Sequence, residues 1–160
     1  MENTGQRTAD ERSAYERSAS LEEYVTSHYE KWKAKVDYMS GLLKKLPDLV
    51  ELQTTVYSVR QECLEYYYTL VNKISEHSKK YKRDYAERYN WYKTQSQIRY
   101  GTDSAINAQI SSDLSDYTYG IEMLNALAKY MQETLKSIDD IIYGINSRVK
   151  VEELIQSYGK

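Results

Sequence analysis

The chain has no phenylalanine, one proline, one cysteine and two histidines among its 160 residues. Each scarcity excludes something. The single cysteine, Cys63, cannot close an intramolecular disulfide, so the default address is cytoplasmic. His28 and His77 form no cluster with it at metal-ligand spacing, so neither a metal nor another cofactor is expected, and both histidines fall at seam-like positions. No phosphate-binding Gly-rich loop, dinucleotide fingerprint or nucleophile elbow occurs. Asp139 and Asp140 are adjacent and point to different sides of a helix. Asp113 and Asp116 share a face near an expected helix start, where they offset the dipole. Catalysis is therefore not expected. No apolar run approaches the roughly 18 residues of a membrane span, and the N-terminus lacks the apolar centre of a secretory signal. Six glycines and a mean hydropathy of −0.78 argue for long helices packed along narrow seams rather than a dense globular core.

Against these absences stand 18 tyrosines and a strong helical periodicity. Residues 1–20 lack apolar repetition and read as a disordered tail. A first helix is expected over 21–46, with Ser20 as N-cap and Glu23 completing a capping box. Leu21, Val25, Trp32, Val36, Met39, Leu43 and Leu46 give it an apolar stripe. Pro47 stops it, because proline disfavours helix in the residue before it. Residues 47–100 should hold a second, long helix from about Asp48 to Lys93. Its seam runs through Leu49, Leu52, Val56, Val59, Cys63, Tyr66 and Leu70, then Ile74, His77, Tyr81, Tyr85, Arg88 and Tyr92. The polar stretch around Gly101 breaks it.

Residues 101–160 show the cleanest repeat. Ile110, Leu114, Tyr117, Ile121, Leu124, Ala128, Met131, Leu135, Ile138, Ile142, Ile145 and Val149 step by four and three without exception. Gly144 is expected to end this helix and start a short one carrying Val151, Leu154, Ile155 and Tyr158. The fold that follows is all-α: a helical hairpin of two long coiled-coil-like helices with short end helices. Self-association, as a homo-oligomer, buries the rest, with Leu124, Met131, Leu135, Ile138, Ile142 and Ile145 as the oligomerisation face.

Net charge is −2, but residues 72–99 carry eight basic and three acidic side chains. Within them, residues 79–93 interleave tyrosine with lysine and arginine. Cations attract phosphate, and aromatic faces stack on exposed bases. Tyr81, Tyr85, Tyr89 and Tyr92 share one stripe, with Lys79, Lys82 and Lys93 along one edge, Arg88 on the other, and Trp91 further round. The same arrangement suits a bundle seam with rings buried and hydroxyls reaching water.

Ala86-Glu87-Arg88-Tyr89-Asn90-Trp91-Tyr92-Lys93 resembles the end of the long helix in UvsY-type recombination mediator proteins of tailed phages. There a basic-x-Arg pattern runs into paired aromatics before a polar, glycine-containing loop; here Ala86 stands at the first basic position. Leu46-Pro47-Asp48-Leu49 resembles that helix's Ile-Pro-x-Leu entry. Leu124 through Leu135-Lys136-Ser137-Ile138 to Ile145-Asn146 resembles the family's final region, so the likeness covers roughly residues 46–156.

The resemblance implies a non-enzymatic, ring-forming protein that binds single-stranded DNA. Such a protein helps a RecA-like recombinase load onto DNA coated with single-strand-binding protein. It implies a host-cell cytoplasmic address and DNA contact at Arg88. The residue pattern adds Lys82, Lys93, Lys79, Tyr89, Trp91 and Tyr92. The competing expectation is a structural coiled-coil or scaffold protein with no nucleic-acid ligand.

Overall fold

A computed structural model describes residues 9–44 and 46–158. All regular structure in them is helical. The order is α1 (Ala9–Leu42), a single 3-10 turn (Leu46–Asp48), α2 (Leu49–Thr94), α3 (Asp103–Asp113) and α4 (Ser115–Tyr158). Three helices rather than two are long. The expected disordered tail is only partly accessible: residues 1–8 lie outside the described residues, but α1 begins at Ala9, so Ser20 is interior to a helix and caps nothing. The residues ahead of it, rich in Ala, Glu and Arg, are strong helix formers even without an apolar stripe.

Pro47 separates α1 from α2 as expected, sitting inside the 3-10 turn. A second departure lies near residue 114. The heptad repeat runs unbroken through Leu114, yet the helix is jointed there. Leu114 adopts φ −106° and ψ 14°, its N–H still donating to Ile110, while Tyr117 and Thr118 N–H groups turn back to the Leu114 carbonyl. Ser111, Ser112, Asp113, Ser115 and Asp116 flank the joint, and such side chains compete with helical backbone bonding. The third departure is Gly144, which ends nothing; α4 continues through it to Tyr158. A Cβ there would stand 2.9 Å from Cδ2 of Leu43, so the glycine makes room for the segment that leaves α1.

The chain divides into two compact units. One comprises Thr26–Leu70 with Leu127–Lys160. Its core is Trp32 and Met39 from α1, Leu52, Val56, Cys63 and Leu70 from α2, and Leu127, Met131, Ile138, Ile141 and Ile145 from α4. Each such side chain is worth roughly 1.5–3 kcal/mol when fully buried. The Arg60 guanidinium donates to Asp139 at 2.7 Å, and Arg148 donates to the Leu43 carbonyl at 2.6 Å, satisfying backbone freed at the end of α1. Cys63 is a core hydrophobe, as its seam position suggests. Burial, with Glu62 nearby, pushes its thiol up to about 12, which keeps it protonated and unreactive. His28 stacks on Tyr66 with ring centroids 5.0 Å apart.

The other unit comprises residues through Val25 and Val71–Ala126. Ile106, Ile110 and Leu114 form its buried cluster, ringed by half-buried tyrosines. Leu21 of α1 packs over Gly120 of α4, and the Tyr119 hydroxyl donates to Glu22 at 2.6 Å. No buried side-chain polar atom lacks a hydrogen-bond partner among the described residues.

Candidate nucleic-acid interface

The tyrosine stripe of α2 faces inward. Tyr81, Tyr85, Tyr89 and Tyr92 pack with Tyr100 and Tyr117 around Ile106, Ile110 and Leu114. Spacings of four and three keep successive rings on one side of a helix, and a short facing helix receives them. That helix, α3, starts at N-cap Thr102, whose Oγ1 accepts from the Ala105 N–H at 3.2 Å. Phenol suits this seam because each ring is half covered and each hydroxyl reaches the rim. Tyr85 donates to Asn107 at 2.8 Å, and Tyr92 donates to Asp113 at 2.6 Å. Tyr89 and Tyr92, expected on a stacking platform, therefore give most of their ring area to the chain's own packing.

Asp113 is the polar centre of this contact. Besides Tyr92 it accepts from Arg88 at 2.8 Å and from Gln109 at 2.9 Å. Burial alone would push its pKa up. The hydrogen bonds from Tyr92, Gln109 and Arg88, with the Arg88 charge, outweigh that and hold the carboxyl below its usual value. The bond to Asp113, with burial and the carboxylate's charge, pushes the Tyr92 hydroxyl up to about 12. The expectation that Asp113 offsets a helix dipole is corrected here. It ends α3, where an acid is unfavourable, and its place is explained by Arg88 and Tyr92 instead. Asp116 does sit in the first turn of α4.

The remaining predicted contacts do not share one setting. Arg88 lies half exposed and already paired. Lys93 donates to the Tyr89 hydroxyl at 3.2 Å, rides over that ring and meets Asp103 at 3.6 Å. Lys79 and Lys82 are exposed, and neither has a carboxylate partner among the described residues. With exposed Ala86 and Asn90 between them and Lys93, they make one flank of α2 free of acids over residues 79–93. Trp91 is 48% exposed, edge-on to Tyr92 at 4.9 Å, but it lies on the opposite flank, near Asp84 and Glu87. The structure thus does not gather the seven predicted residues into one patch. Residue patterning missed Arg99, which is exposed on the loop after α2 and carries no motif of its own.

The predicted oligomerisation face is corrected. Leu124, Met131, Ile138 and Ile145 are buried within the single chain, and Leu135 and Ile142 are half buried. Leu127, Thr134 and Ile141 are buried as well, which widens the stripe beyond a two-helix seam because α1 and α2 both pack on it in their unit. Towards the end of α4 several apolar side chains are left exposed: Tyr143, Val149, Val151, Leu154, Ile155 and Tyr158.

Among the described residues no group of three or more His, Cys, Asp or Glu could hold a metal ion, and no helix is long and apolar enough to cross a membrane. Comparison with family models, curated proteins and solved structures gave no match.

Proposed function

We propose that this protein is a non-enzymatic single-stranded DNA-binding mediator of recombination, which helps a RecA-like recombinase replace single-strand-binding protein. The observation that carries the DNA-binding part is the acid-free flank of α2, with Lys79 and Lys82 exposed and uncommitted and Lys93 in line with them. Charges spaced along a helix neutralise successive phosphates, and counterion release drives such binding. The partners and the loading role rest on the sequence resemblance alone. Each subunit offers few contacts, so assembly would supply avidity. The exposed stripe Val151, Leu154, Ile155 and Tyr158 is the face we assign to contact with a second copy, in place of the covered seam.

A structural helical protein without a nucleic-acid ligand is the second reading. It is favoured by the closure of the tyrosine stripe on α3 and by the pairing of Arg88 with Asp113. Fluorescence anisotropy with a labelled oligonucleotide over a salt series separates the two. The native chain is expected to bind at low salt, and Lys79→Gln with Lys82→Gln to lower the slope of log K against log salt by about 1.4, roughly 0.7 per lost phosphate contact on a single strand. Absence of binding at low salt would leave the structural reading. An unchanged slope would remove the lysine flank as the contact.

A further inference from the structure

Residues 95–102 carry the chain from α2 to α3 and leave a hollow of about 380 Å³ beside them. Small-ligand pockets span roughly 300–1,000 Å³, so this one suits a group the size of a single nucleotide. Its lining includes Tyr92, Lys93, Arg99, Tyr100, Thr102 and Asp103. Two cations and one carboxylate leave the lining net positive. Lys93 is shared between Asp103 at 3.6 Å and the Tyr89 hydroxyl at 3.2 Å. Arg99 has no hydrogen bond or ion pair among the described residues, although its planar fork is the side chain best matched to phosphate oxygens. Tyr92 and Tyr100 meet edge to face, with centroids 5.4 Å apart and planes at 89°. The bond from Tyr92 to Asp113 fixes that ring before any ligand arrives, so little freedom is lost on binding.

We propose that this hollow takes one nucleotide, with the phosphate on Arg99 and Lys93 and the base against Tyr100 and Tyr92. Under the DNA-binding reading, on which the inference rests, that nucleotide is one unit of the bound strand. Asp103 opposes the phosphate and tempers the site, which makes a gain of affinity testable as well as a loss.

The test uses the full chain and a labelled oligothymidylate in low salt. Arg99→Ala is expected to weaken binding about tenfold, the equivalent of one charge-assisted contact. Asp103→Asn is expected to tighten it about threefold. Arg83→Ala removes the same charge from a residue already facing Asp84 and Glu87, and is expected to change affinity less than about twofold. Equal effects of Arg99→Ala and Arg83→Ala would overturn the hollow while leaving the DNA reading intact. Free thymidine monophosphate, followed by intrinsic fluorescence, is the second arm. A change abolished by Arg99→Ala, in a chain that binds no strand, would keep the nucleotide site and sink the DNA reading. No response in either arm would overturn both.

Discussion

At the scale of single residues, Asp113 explains why position 92 is a tyrosine and what becomes of Arg88. One carboxylate takes hydrogen bonds from Tyr92 and Arg88 of α2 and from Gln109 of its own helix. Phenylalanine would fill the same seam but could not donate at its rim. Tyr92→Phe should therefore cost about 1.5–3 kcal/mol at neutral pH, the worth of a hydrogen bond to a charged group. The pH dependence has a definite sign. The folded pKa of Tyr92 is raised from 10.0 to about 12, so its stabilisation is complete below pH 10 and is lost as pH climbs to about 12. Asp113 behaves in the opposite way: its folded pKa is lowered, so its contribution holds above the ordinary 3.8 and is lost as pH falls below it. Urea denaturation of the native chain and of Tyr92→Phe should give stabilities that converge between pH 10 and 12, since the other tyrosines titrate in both and cancel. A constant difference across that window would show that the Asp113 bond is not the cause. Because Arg88 also serves Asp113, replacing it confounds DNA contact with folding, and the exposed lysines are the cleaner probes.

At the scale of elements, the seam of α2 was legible from spacing as far as Leu70; beyond it the expected His77 and Arg88 are exposed, and Ser78 and Tyr89 lie on the covered side instead. Leu52, Val56, Cys63 and Leu70 are buried where the three-and-four rhythm puts them, and Pro47 breaks the chain where its ring geometry demands. The joint at Leu114 was not legible, because the apolar rhythm passes through it and only φ and ψ change. The pairing of Arg88 with Asp113 spans 25 residues, beyond the reach of any local pattern. Gly144 was misread because an isolated helical glycine looks the same whether it ends a helix or admits a neighbour. A pair of substitutions separates these roles. A Cβ at Gly120 would meet Leu21 at an ordinary 3.5 Å, so Gly120→Ala should stabilise by about 1 kcal/mol through helix propensity. At Gly144 the Leu43 side chain must shift, at a cost of roughly 0.5–1.5 kcal/mol for leaving its rotamer, so Gly144→Ala should come out near zero. Equal gains in the urea midpoint would mean that Leu43 does not constrain the site.

At the scale of the molecule, the question is how a chain of net charge −2 could hold a polyanion. Local fields decide this, because charges are screened beyond roughly 8 Å at physiological salt. A flank of three lysines on each copy still provides only a handful of phosphate contacts, so useful affinity requires several copies on one strand. The stripe Val151, Leu154, Ile155 and Tyr158 repeats at helical spacing, with exposures of 55, 55, 60 and 86%. Burying the remaining exposed area of Leu154 and Ile155 against a second copy would supply roughly 1–2 kcal/mol for each side chain. Neither belongs to the chain's own core, so Leu154→Lys with Ile155→Lys should leave the helical circular dichroism unchanged. Sedimentation equilibrium should then show a native oligomer reduced to monomer by the double substitution. Affinity for an oligonucleotide long enough to span several copies should drop at least tenfold, while affinity for one that spans a single copy stays the same. Should the native chain sediment as a monomer, avidity falls away as the source of affinity, and the lysine flank with the Arg99 hollow must account for strand binding within one copy.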